Sequence, residues 1–222
     1  MKTVGYSRIR FLSLFTVPIL TAAPLGAQSV IGFRAGVAWA RTDYSHVHFA
    51  PCPPETACHG VPSDRILTPL ISADVRHPTA VEELSFRLSL SYGVKGGTGS
   101  GYWADHATPS SGTLRLHFLQ FSPLLNVNLR GQAQDRYAVS LLVGPWAALR
   151  IGCSVAGQLG TSCESSEPVD AGVAFGGGVQ YRVASNLTLA AESIYHWGIL
   201  PQNVSGVTRL VAVQFGVTIH SR

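Results

Sequence analysis

Residues 84–95 read Leu-Ser-Phe-Arg-Leu-Ser-Leu-Ser-Tyr-Gly-Val-Lys. Leu84, Phe86, Leu88, Leu90, Tyr92 and Val94 alternate with Ser85, Arg87, Ser89, Ser91, Gly93 and Lys95. A period of two is the mark of a β-strand with one apolar and one polar face. Strands of ordinary globular sheets run about 5–6 residues. A tilted strand of about 9–11 residues is what crosses a bilayer. The segment is long enough to cross.

Seven more stretches alternate in the same way. The first sets Ile31, Phe33, Ala35, Val37 and Trp39 against Gly32, Arg34 and Gly36. The second sets Ile71, Ala73 and Val75 against Ser72, Asp74 and Arg76. The fourth, 114–130, is apolar at Leu114, Leu116 and Phe118, then at Leu119, Phe121, Pro123 and Leu125. A one-residue slip exchanges faces unless a bulge absorbs it, so a β-bulge is expected near Phe118-Leu119. The fifth sets Val139, Leu141 and Val143 against Ser140, Gly144, Trp146 and Arg150. The sixth sets Val173, Phe175 and Val179 against Gly176, Gly178 and Arg182; the seventh sets Leu189, Tyr195 and Trp197 against Glu192 and His196. The eighth sets Val211, Val213, Phe215 and Val217 against Gln214, Gly216 and Thr218.

The connections alternate in expected length. Long segments at 42–66, 96–112, 152–168 and 198–207 alternate with short turns at 78–83, 131–136 and 184–186. Long loops at one end and tight turns at the other predict an all-β fold: an eight-stranded antiparallel transmembrane up-and-down β-barrel. Both termini then fall on the short-turn, periplasmic side. A soluble carrier barrel also alternates, but it needs an apolar interior. Here the bulky apolar residues are read on one face, and Gly, Ser, Asn, Gln and Arg on the other.

The ends and the composition agree with this reading. Lys2, Arg8 and Arg10 precede an uncharged run from Phe11 to Ala22, and small residues reach Ala27. Residues 1–27 are therefore expected to be a signal peptide, with the barrel domain at 28–222. Only 13% of the chain is charged, against about 25% in soluble domains. The chain holds 16 Lys and Arg against 12 Asp and Glu. Three of the basic residues lie in the leader, so there is no basic stripe to suggest nucleic acid.

Gly32-Phe33-Arg34-Ala35-Gly36-Val37, Leu119-Gln120-Phe121-Ser122-Pro123-Leu124-Leu125, Val143-Gly144-Pro145 and the run from Glu192 to Asn203 occur in that order. In these segments the chain resembles the PorT-like group of outer-membrane β-barrel domains. The resemblance implies the barrel fold and brings no catalytic residues. It also implies reading by the barrel assembly machinery. Such barrels usually end in an aromatic residue, whereas Phe215 is the last aromatic before Ile219-His220-Ser221-Arg222.

Four cysteines form two close pairs, each in one expected outer loop. Beyond the inner membrane disulfides persist, and the spacing favours Cys52–Cys58 and Cys153–Cys163 among three connectivities. His46, His48 and His59 flank the first pair, which makes zinc the alternative there. No metal and no cofactor is expected.

Arg34, Asp74, Arg76, Arg87, Arg182 and Glu192 fall on the polar face, where ion pairs would plug a narrow lumen; an ion path is the alternative. Glu192 and His196 share a face but lie about 13 Å apart along a strand, and Ser193 points the other way. No nucleophile and base are therefore expected to meet. Trp39, Tyr92, Tyr195 and Trp197 lie near the outer strand ends, the place of an interfacial girdle. The expectation is a monomeric, non-enzymatic barrel in contact with outer-membrane lipids and lipopolysaccharide. It would display loops for adhesion, ligand interaction or envelope integrity. A small-solute channel and a lipid A-modifying enzyme are the alternatives.

Overall fold

The computed structural model describes residues 30–43, 64–102, 109–130, 136–157, 163, 167–203 and 206–220. The signal segment and Cys52, Cys58, His46, His48 and His59 lie outside them. Eight strands form the fold: β1 Val30–Asp43, β2 Ile66–Pro78, β3 Leu84–Tyr102, β4 Pro109–Arg130, β5 Tyr137–Gly157, β6 Val169–Ala184, β7 Leu187–Asn203 and β8 Gly206–His220. Each pairs antiparallel with the next, and β8 pairs back onto β1 to close the barrel. Closure leaves no sheet edge.

The alternation of sequence becomes an alternation of burial. Along β2 each residue from Ile66 to Val75 changes face, with Thr68, Ser72 and Asp74 inside and Leu67, Ile71 and Ala73 outside. Along β3, Ser85, Arg87, Ser89, Ser91 and Lys95 point inward, while Phe86, Leu88 and Leu90 stand outside. At one end the turns are tight. Ser185 and Asn186 alone join β6 to β7. Residues 79–83 join β2 to β3, where Thr79 Oγ1 accepts from Val81 N–H at 3.2 Å.

Two expectations need correction. The first concerns β4, whose face does not switch. Leu114, Leu116 and Phe118 are buried inside the barrel, followed on the same face by Gln120, Ser122, Leu124 and Asn126. The bulge lies across the ladder, in β5. His117 pairs with Gly152 and Phe118 with Arg150, which leaves Ile151 as the extra residue. Alternation says that Leu114, Leu116 and Phe118 share a face but not which face. They join Leu124, Leu142, Trp146, Ala148, Ala174 and Ile194 in an apolar cluster within the barrel. The inner face is thus not wholly polar.

The second correction concerns the long loops. Residues 96–102 and 109–112 continue the β3–β4 ladder as far as Tyr102↔Pro109. Likewise β5 runs on to Gly157, β7 to Asn203, and β8 begins at Gly206. Backbone pairing needs no amphipathic pattern, so Gly- and Ser-rich sequence extends the strands where alternation has faded. Gly96 (φ +129°) and Gly157 (φ +80°) take conformations in these extensions that other residues resist. Residue 64 also joins the extended wall, for Asp64 and Thr98 exchange backbone hydrogen bonds of 2.9 and 3.2 Å.

The inward placement of Phe118 is testable against its outward neighbour Phe121. Phe118→Ala should cost about 3–5 kcal/mol by opening a cavity, read from denaturant unfolding of the barrel in detergent. Phe121→Ala should cost little. Equal costs would mean that the faces of β4 are assigned the wrong way round.

Candidate functional site

The barrel interior is a stack of interactions between residues far apart in sequence. At its middle, β1, β2, β3 and β7 each send in one charged side chain. Arg34 is ion-paired with Asp74, and its Nε lies 3.2 Å from Glu192 Oε2. Arg87 Nη1 donates to Glu192 Oε2 at 2.7 Å, and Arg87 Nε lies 3.4 Å from Asp74 Oδ1. The four side chains are almost wholly shielded from solvent. Within these four, two cations and two anions cancel, which lowers the cost of burying them; Arg76, opposite Arg87 in the β2–β3 ladder, adds a third cation beside them.

Glycine clears the space for this cluster. A Cβ at Gly32 would lie 2.7 Å from Asp74 Oδ2 and 2.8 Å from Arg34 Nη1. At Gly178, which pairs with Glu192, a Cβ would lie 2.6 Å from Glu192 Cγ. Gly32 and Gly178 are therefore complements of the charges beside them.

Toward the short-turn end, Arg76 Nη1 donates to Gln180 Oε1 at 3.1 Å, and Thr188 Oγ1 is hydrogen-bonded to His220 Nε2 at 3.0 Å. Arg182 is half-buried beyond them on β6. Between the ion cluster and the other end, Ser72 Oγ donates to Gln214 Oε1 at 2.9 Å. Gln120 Nε2 donates to His196 Nδ1 at 3.0 Å.

A second ionic group lies at the long-connection end, among the apolar residues. Lys95 Nζ donates to Asp170 Oδ2 at 2.8 Å, and Thr208 Oγ1 donates to the same oxygen at 2.6 Å. The Lys95 ammonium also stands 3.9 Å from the centroid of the Trp146 ring and 4.9 Å from that of Phe118. A cation over an aromatic face gains from the ring quadrupole, the more so when shielded from water. Asp170 was not recognisable as a site residue in the sequence. It is the second residue of β6, beside a loop, and its partners lie 75 and 38 residues away.

Ion pairs and hydrogen bonds between distant strands link the described interior residues. His196 meets Gln120 and the edge of Trp146, with ring centroids 6.0 Å apart. No cluster of three or more metal-ligating side chains occurs among the described residues.

On the outer wall, Trp39 and Trp197 are 41% and 52% exposed. Tyr92 and Tyr195 are half-buried, Tyr195 against Phe175 with centroids 5.0 Å apart. Trp39 and Tyr195 both pair with Val211, from opposite sides. Two residues further along the same face, Arg41 pairs with Arg209. At the long-connection end a disulfide joins Cys163 to Cys153, which pairs with Leu116 in the β4–β5 ladder and packs against the interior apolar cluster; the Cα atoms lie 5.7 Å apart. Arg150 Nη1 donates to the carbonyl of Cys163 at 2.8 Å.

The chain matches no model of a known protein family and no curated protein sequence. Among solved structures it is similar to Neisserial surface protein A, with 20% identity and a TM-score of 0.48 over 86% of this chain and 97% of that one. It is also similar to the attachment invasion locus protein of Yersinia pestis, in complex with the heparin analogue sucrose octasulfate. That likeness has 10% identity and a TM-score of 0.43 over 87% of this chain and 99% of that one. Outer Membrane Protein W of E. coli gives 13% identity and a TM-score of 0.34 over 86% and 99%.

Two outcomes test the interior and the clip. Glu192→Gln should cost about 3–5 kcal/mol, because two buried arginines then share one carboxylate. Arg87→Met added to Glu192→Gln should recover part of that loss, and strict additivity in the double-mutant cycle would show that the pair is not coupled. Reduction of Cys153–Cys163 should free the β5–β6 connection to protease while the barrel stays folded. A staple of this loop size contributes about 2–3 kcal/mol in the chain-entropy picture, and the wall ladder does not depend on it.

Proposed function

We propose that the chain is a non-enzymatic β-barrel of the bacterial outer membrane, a rigid anchor that displays its long connections at the cell surface. One observation carries this reading. Every strand presents large apolar side chains to the outside, from Phe33 (52% exposed) and Ile71 (55%) to Phe175 (48%) and Phe215 (65%), around an interior that holds Arg34, Asp74, Arg87, Lys95, Asp170 and Glu192. An apolar wall this extensive is not kept in water. A spanning sheet must also satisfy every backbone group within itself, which closure does.

The margins of the wall fit the same reading. Trp39, Tyr92, Tyr195 and Trp197 would sit at headgroup level as an interfacial girdle. Arg41, Arg209 and Arg115 stand outward nearer the long-connection end, where lipid phosphates and lipopolysaccharide would meet them. The termini would lie in the periplasm, on the side of the short turns, after delivery through the barrel assembly machinery. Kinship with the PorT-like barrels rests on the residues that carry that resemblance, from Gly32–Val37 to Glu192–Asn203.

Surface interaction, adhesion or envelope support fits an anchor with a clipped loop. The Cys153–Cys163 bridge stiffens a displayed segment, which lowers the ordering cost of binding; Cys52–Cys58 would do the same for the first loop. A small-solute channel needs an open lumen; the buried ion pairs and the inward side chains of Leu114, Leu116 and Phe118 weigh against one. A lipid-modifying enzyme needs a nucleophile beside a base, and His196 is committed to Gln120 and Trp146.

The mature protein should fractionate with outer membranes, migrate faster on gels before heating than after, and give no steady conductance in planar bilayers. Leu88→Arg, outward at mid-strand, should cost about 2–4 kcal/mol or block insertion, whereas Ser89→Ala should be mild. Recovery as a soluble periplasmic protein would refute the membrane reading. Stable conductance steps would favour the channel.

A further inference from the structure

The outer wall is not evenly convex. A groove of about 530 Å³ runs across it from β8 to β4, bordered by Phe33, Ala35, Ala73, Leu90, Leu119 and Phe215. Its shape follows from the register. Phe215 pairs with Ala35, Ala35 with Ile71, Ile71 with Tyr92, and Tyr92 with Leu119. In the adjacent row, Phe33 pairs with Ala73 and Ala73 with Leu90. Alanine at 35 and 73, set among Phe, Ile and Leu, lowers the wall between the two rows. Four strand spacings separate β8 from β4, about 19 Å. A path of that length running obliquely spans one leaflet, whose hydrocarbon depth is about 15 Å.

The groove has one polar end. Tyr92, which lines it, is hydrogen-bonded through its hydroxyl to His117 Nδ1 at 2.7 Å, and the two rings stack with centroids 6.0 Å apart. Arg115 stands outward on the same face of β4, two residues nearer the long-connection end, and is exposed. The groove is therefore apolar along its length as far as the Tyr92 hydroxyl, and beyond it along β4 stand His117 and then Arg115.

We propose that this groove seats one acyl chain of a phosphorylated outer-leaflet lipid, with the phosphate held by Arg115 beside the Tyr92–His117 pair. The assignment rests on the membrane reading above and adds a defined site to it. A fluid annulus needs only a smooth apolar wall; a trough with a cationic head selects an amphiphile of opposite charge. A second barrel would bring a convex wall, which cannot enter the trough.

The test uses the full-length protein extracted from outer membranes in mild detergent, with native mass spectrometry after adding diphosphorylated lipid A or its dephosphorylated form. One lipid A should remain bound per barrel. Ala35→Phe/Ala73→Phe, which fills the trough on the lipid side, should weaken that binding about tenfold. Arg115→Gln should weaken binding of the phosphorylated form and leave the dephosphorylated form unchanged. Val143→Phe, outward on β5, should change neither, and gel mobility before and after heating checks that each variant is folded. Undiminished binding to the filled groove, equal loss with Val143→Phe, or barrel dimers in place of a lipid complex would overturn the assignment. A protein that fractionates with outer membranes but retains no lipid A loses the groove alone; one that fractionates elsewhere loses the membrane reading.

Discussion

The pairing of β1 with β8, from Val30↔His220 to Asp43↔Val207, is the constraint on which the rest depends. Without it the first and last strands would each expose a row of backbone donors and acceptors, which a hydrocarbon medium does not tolerate. Closure also divides every side chain between two environments, inside and outside. A strand can serve both only with period two, and Phe33–Arg34–Ala35 or Leu88–Ser89–Leu90 are local consequences of that global ring.

An eight-stranded ring encloses a space that side chains must fill. This barrel fills it with two kinds of matter. Arg34, Asp74, Arg87 and Glu192 form a charge-balanced knot at the middle, made possible by glycine at 32 and 178. Nearer the long connections, Leu114, Leu116, Phe118, Leu142 and Trp146 pack as a globular core would. Lys95 belongs to both, with its ammonium on Asp170 and over the ring of Trp146. The arrangement ties β3, β4, β5, β6 and β8 together from within, so the wall is braced across the lumen as well as around it.

The outside carries the functional reading. Its apolar side chains would face lipid, its aromatic and arginine residues mark one margin, and the Cys153–Cys163 disulfide ties the β5–β6 connection to the wall at that level. The trough at Ala35 and Ala73 interrupts this wall where small residues replace large ones, and Tyr92, His117 and Arg115 give it a polar head.

Period two along eight stretches, of which residues 84–95 are the clearest, established the strands and their number, because face alternation is a local property of an extended chain; the alternation of long and short connections established their antiparallel order. The outward residues and the inward charges followed from the same parity. Parity could not say which side Leu114, Leu116 and Phe118 occupy, since an apolar residue suits lipid and a packed interior equally well. Their place depends on the pairing of Phe118 with Arg150 and on the extra residue Ile151 in β5. Nor could it show that 96–102 and 109–112 are strand, because Gly- and Ser-rich segments join a ladder only when a partner strand is present. Asp170 was hidden for a related reason: its role is defined by Lys95 and Thr208, which only ring closure brings to it. The sequence by itself determined which residues share a face; the tertiary structure decided what each face meets, because that depends on partners from distant strands.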